Sequence, residues 1–246
     1  MKDTAMTRML SLGARIGAVL VALLLVGGCE RAADRLKQEI AATQNPWPKS
    51  SSLHDPADRM LRRLIVDERY LTRIKQAGSK DKAAVAGAQL ALDGIGRLPR
   101  PMLERRAQLL AAMLRGMPVE KCALIARATT ASDIAQVGRT LFNELEKRPS
   151  QDIDFWFEMS YQASLAELEQ RPATPATEQQ IAEATEALLA SMADESTRAR
   201  AMAVLPRMDT APAADVCWAS LMLLDAASST VPEPHRGTLA WLMAQQ

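Results

Sequence analysis

Histidine is almost missing from this chain. His54 and His235 are the only two in 246 residues, both in proline-bearing stretches that read as surface loop. Neither belongs to an HExxH pair or a cysteine cluster, so the spacing that holds a catalytic zinc is absent. Glycine is scarce too, and no GxxxxGK[ST] loop or GxSxG elbow occurs. Asp93-Gly-Ile-Gly96 lacks the preceding strand and the third glycine of a dinucleotide loop and reads as a turn. There is no CxxC, which leaves thiol redox catalysis without its motif. Aromatic residues make up 4% of the chain and β-branched runs are few, which argues against a fold built on sheets. No recognisable catalytic motif survives this search, no cofactor or metal is expected, and only a triad scattered through the sequence stays open.

Charge is balanced as well. The chain carries a formal +1; Lys2, Arg8 and Arg15 against Asp3 leave the first 28 residues at +2, so the remainder is near −1. Nothing in that balance favours nucleic acid.

What the sequence does contain begins with an address. Lys2, Arg8 and Arg15 precede Ile16 to Val26, an uncharged apolar run of signal-peptide length, shorter than the ~20 residues a membrane-spanning helix needs. Val26-Gly27-Gly28-Cys29 then resembles the lipobox of bacterial lipoprotein precursors. The resemblance covers residues 1–29 and departs from the usual pattern at Val26, where Leu is commoner. It implies removal of residues 1–28, diacylglycerol on Cys29, and anchoring to a membrane with the body facing the periplasm. In such lipoproteins Asp after the cysteine favours inner-membrane retention; here Glu30 follows, so the outer membrane is favoured. Acyl chains contribute about 0.8 kcal/mol per buried methylene, and more than one chain makes anchoring stable.

The rest is helix-forming material, rich in Ala, Leu and Met with Glu, Arg and Gln at polar positions. The expected fold is all-α: an irregular bundle or array of about nine to ten short amphipathic helices. Residues 29–54 read as a tether with one short helix, broken by Pro46, Pro48 and a serine run. Residues 55–246 read as one helical domain, with a lobe boundary possible at 171–177. Asp55 and Pro56 open a helix expected to reach Gln76, carrying Arg59, Arg62, Arg63, Arg69 and Arg73 outward as a solvated face balanced by Asp58, Asp67 and Glu68. Thr177 with Gln180 forms a capping box. Ser150 to Gln170 is apolar on all sides, the mark of a central helix. Most methionines, Met60, Met113, Met159, Met192, Met202, Met222 and Met243 among them, fall on apolar faces as core filling. No repeat of fixed period recurs.

Two residue pairs carry the remaining chemistry. With Cys29 acylated, Cys122 and Cys217 are an even pair in an oxidising compartment, bonded to each other or buried as separate thiols. Asp154 and Glu158 lie one turn apart among aromatics: an acid and base, a cation site, or simply charges answering the helix dipole and solvent.

The reading is a membrane-anchored helical lipoprotein without catalytic residues that binds another protein of the cell envelope. An immunity or inhibitor protein against a periplasmic toxin is the alternative. A cell-wall hydrolase or lyase using Asp154 and Glu158 is the third.

Overall fold

The computed structural model describes residues 45–127 and 131–245. The lipobox, Cys29 and the expected helix of the tether lie outside the described residues. Eleven α-helices, and no strand among the described residues, confirm an all-α array. They are α1 (His54–Leu64), α2 (Glu68–Gln76), α3 (Lys80–Ile95), α4 (Arg100–Arg115), α5 (Val119–Arg127), α6 (Ala131–Leu145), α7 (Ser150–Leu168), α8 (Glu178–Ala190), α9 (Glu195–Val204), α10 (Ala213–Asp225) and α11 (His235–Met243).

One more helix is present than the expected upper count because the stretch from Asp55 to Gln76 is two helices. Asp67 adopts an extended backbone and accepts the Arg69 N–H at 2.8 Å, capping α2. The break lets Leu64 and Ile65 at the end of α1 share one apolar cluster with Tyr70, Leu71 and Ile74 of α2. The start also differs. Ser51 closes a turn by accepting the His54 N–H at 3.1 Å, so α1 begins at His54 and Asp55 sits inside its first turn rather than capping it. The expected Thr177–Gln180 box caps α8, and Ser79 and Asp194 cap α3 and α9.

The helix α7 is central. Among the described residues it makes the most extensive helix pair with α3 and also packs against α1. Its Ile153, Phe157, Met159 and Ala163 enter the main core, while Tyr161 and Leu168 pack on the α1–α2–α3 cluster. The α3–α7 crossing is close because of Gly94, where a Cβ would stand 1.9 Å from the Ala163 carbonyl oxygen. Gly94 was read as part of a turn, but α3 continues through it to Ile95.

A second set of contacts joins α4 to α10 and α11, α5 to α10, and α8 to α11. Cys122 of α5 and Cys217 of α10 form a disulfide, Cα atoms 5.3 Å apart, with Val204, Ala211, Val216 and Ala219 in a small apolar cluster alongside Ala123. Residues 171–177 are strapped down: Arg97 donates to the Arg171 carbonyl and Arg100 to the Thr174 carbonyl at 3.0 Å.

The described end of the expected tether is part of the body. Trp47 meets Phe142 at 4.8 Å and Phe157 at 5.5 Å, both edge-on, and Leu53 is 1% exposed. Two prolines flank Trp47 and deny this stretch a helix, yet its indole finds an aromatic seat between α6 and α7.

Candidate functional site

Helices α1 and α7 lie side by side and parallel, which a constant offset of 95 residues in their contacts makes plain. Just ahead of the two helices Ser51 meets Glu146, and on the helices themselves Arg59 meets Asp154 and Arg63 meets Glu158. Residues four apart on a helix share a face, so Arg59 and Arg63 answer Asp154 and Glu158 one for one. Between the helices is a shallow depression of about 230 Å³, its floor made by Pro56, Met60 and Phe157 and its rim by those four charges. The expected acidic pair is therefore brought together, but with two guanidinium groups already on it.

Arg59 reaches Asp154 at 2.6 Å. Arg63 holds Glu158 through both terminal nitrogens, Gln162 donates to the same carboxylate at 2.8 Å, and the guanidinium stacks 3.6 Å over Tyr161. Burial pushes the Glu158 carboxyl up, but the Arg63 and Gln162 donors outweigh it and hold it below the ordinary range. A general acid needs the opposite shift. Side-chain exposures of 54% for Asp154 and 41% for Glu158 put both in contact with solvent, where an ion pair of this kind is worth about 0–1 kcal/mol. The arrangement neutralises charge and fixes the α1–α7 register. It offers neither a free base nor a free acid, and the cation it accommodates is arginine.

The basic face of α1 and α2 is likewise balanced. Asp58 pairs with Arg62 at 2.6 Å one turn on, and Asp67 with Arg69 at 2.6 Å. His54 and His235 open α1 and α11 instead of lying in loops, and His54 Nδ1 is 3.0 Å from Asp55. Among the described residues no group of three or more His, Cys, Asp and Glu side chains could hold a metal ion, and no helix is long and apolar enough to cross a membrane.

Three features escape a reading of sequence. Asp152 is 8% exposed and bridges Arg105 at 2.6 Å and Arg148 at 3.2 Å. Glu104 shares Arg236 with Glu233; burial and the neighbouring Glu233 carboxylate push the Glu104 carboxyl up against the pull of Arg236. Arg106 has a buried Nε that donates to nothing. Only Arg106 left a trace in the sequence, since it stands three residues after Leu103 and four before Leu110 on an inward stripe. Met202 departs from the expected core filling at 60% exposed. Val85 and Leu92, seven apart on the outer face of α3, are 65% and 42% exposed, with exposed Ala88 between them.

Searches of protein-family models, curated proteins and solved structures returned no match to this chain.

Proposed function

We propose that this protein is a lipoprotein anchored through Cys29, facing the periplasm and sorted to the outer membrane, that acts by binding another protein of the cell envelope. The observation that carries the binding role is the outer face of α3. Val85, Ala88 and Leu92 line up there at helical spacing and stay exposed, at a cost of about 25 cal/mol per Å² of apolar surface left in water. A partner helix laid along that stripe would remove the cost. The disulfide supports the compartment, because such bonds persist where the environment is oxidising. Tethering by Cys29 would raise the local concentration of the binding face at the membrane.

The arginine-bound state of Asp154 and Glu158 gives the hydrolase or lyase reading no acid to work with. An immunity or inhibitor role differs from envelope scaffolding in the identity of the partner alone. Mild crosslinking in the native envelope followed by affinity capture tests the proposal, with Cys29→Ser as the unanchored form and Val85→Glu with Leu92→Glu as the altered face. One stoichiometric partner, lost with the α3 double variant and weakened by Cys29→Ser, is expected. A partner retained by the double variant removes the α3 face from the proposal, and no partner in any form overturns it.

A further inference from the structure

Arg106 lies on the packed side of α4 and is half-buried. On α4 it lies roughly 160° around the helix axis from exposed Gln108, taking ~100° per residue, so it faces the packed side. Its near neighbours on that side are apolar: Leu103, Leu109 and Met113 belong to the main core, and Met102 and Leu110 pack against it. Within this stripe the Nε of Arg106 is shut away from solvent and has no acceptor. Burial draws the guanidinium pKa down to about 10, which still leaves it charged near neutrality. The residue keeps an intermediate exposure, so the group lies deep without being sealed.

An uncompensated buried cation is costly, and proteins ordinarily pair it. The elements packed on α4 are α6, α7, α10, α11 and the turn Ala226–Thr230. Their described carboxylates are already engaged. Asp152 holds Arg105 and Arg148, Asp225 holds Arg115, Asp215 holds Arg200, and Glu144 holds Lys147. The α4 carboxylate itself, Glu104, holds Arg236. α11 and the turn contain no acidic residue. With Asp154, Glu158 and Glu167 of α7 held by Arg59, Arg63 and Arg97, no described carboxylate on α4 or on the elements packed against it is left to neutralise Arg106.

We propose that Arg106 is the receiving group of an oxyanion site, which takes a carboxylate or a phosphate from outside the chain. A guanidinium presents a planar fork of donors that fits either oxyanion, and apolar walls strengthen that contact by excluding water. The same chemistry serves a small free anion or an acidic group on a partner polypeptide. The site stands whether or not Cys29 is acylated.

The test follows thermal unfolding of the full chain at fixed ionic strength, with chloride as the reference anion and sodium acetate, sodium phosphate and a pentaglutamate peptide as probes. At ten times its dissociation constant a bound probe should raise the midpoint by about 3–6 °C. Arg106→Met should abolish that rise, and in chloride it should be at least as stable as the parent, because methionine continues the apolar stripe without an unpaired charge. A rise with acetate or phosphate assigns a small-anion site; a rise with pentaglutamate alone assigns a partner's carboxylates. No rise with any probe overturns the proposal. So does a rise that persists in Arg106→Met, or a lower midpoint for Arg106→Met in chloride, which would mark a guanidinium bonded within the chain. Should Arg106→Met fail to fold, the Nε–H resonance of Arg106, assigned by its loss in Arg106→Lys, gives the second readout. It is expected to move along the same titration curve, and an unmoved resonance overturns the proposal.

Discussion

Gly94 and Ala163 bring the backbones of α3 and α7 together, with room for a hydrogen on the Gly94 Cα and none for a methyl, which would stand 1.9 Å from the Ala163 carbonyl oxygen. That atom belongs to rigid helical backbone and has no rotamer by which to move aside. Gly94→Ala should therefore cost about 3 kcal/mol or more, the upper part of the range for overpacking, despite the better helix propensity of alanine. Gly138 of α6 is the control, since nothing lies within 4 Å of a Cβ there. Gly138→Ala should stabilise by about 0.5–1 kcal/mol. Urea unfolding of both variants measures the contrast, and equal effects would refute the close crossing.

The Cys122–Cys217 bond closes a loop with a sequence separation of 95. In the chain-entropy picture such a loop is worth about 4–5 kcal/mol, chiefly by restricting the unfolded chain. The double substitution Cys122→Ala with Cys217→Ala should lower the urea midpoint accordingly, and a reducing agent should lower that of the parent while leaving the variant unchanged. A parent indifferent to reduction would mean that the two thiols are not joined.

Elements whose signals are local could be read from sequence. The Thr177–Gln180 box needs residues three apart, and both of its hydrogen bonds form. The all-round apolar character of residues 150–170 marks a helix with neighbours on several sides, and α7 is that helix. What escaped was set by distant partners. Asp154 and Glu158 look like free carboxylates until Arg59 and Arg63, 95 residues earlier, are laid beside them. The break between α1 and α2 turns on whether Asp67 caps or continues a helix, and both are compatible with the composition around it. Trp47 sits between prolines in what reads as linker, and only the three-dimensional placement of Phe142 and Phe157 supplies its seat.

Asp152 and Asp154 differ by two positions and should differ sharply in effect. The Asp152 side chain is 12% exposed and joins two arginines from different segments, whereas Asp154 is 54% exposed and joins one. Removing the charge of a buried partner strands the cations it answered, so Asp152→Asn should cost about 3 kcal/mol. Asp154→Asn should cost about 0–1 kcal/mol. Thermal unfolding distinguishes the two, and comparable losses would mean that Asp154 is held far more tightly than its exposure implies.

Trp47→Ala asks whether the residues before α1 belong to the folded body. The indole is half-buried with two edge-on ring contacts, and aromatic pairs contribute about 0.5–1.5 kcal/mol beyond the area they bury. A loss of about 1–3 kcal/mol is expected, below the full cost of a completely buried tryptophan. A loss indistinguishable from zero would return residues 45–53 to the role of free tether.

Glu158 and Glu104 should make stability respond to pH in opposite senses. Burial raises Glu158, but Arg63 and Gln162 overcome it and its folded pKa lies below the ordinary glutamate value of 4.5. The folded state thus binds the Glu158 proton less readily than the unfolded chain, so this contribution is present above that value and is lost as pH falls through the lower folded pKa. Burial and Glu233 raise Glu104 above the same value of 4.5 in spite of Arg236. There the folded state holds the proton more readily, and stability is lost as pH rises through the higher folded pKa. With urea unfolding followed from about pH 3 to 7, the parent should gain on Glu158→Gln as pH rises and lose ground to Glu104→Gln over the same direction. The Glu158 change will be small because the pair is exposed to solvent and screened. The sign of each slope is the measurement, and two slopes of the same sign would show either that Arg236 outweighs burial at Glu104 or that burial outweighs Arg63 at Glu158.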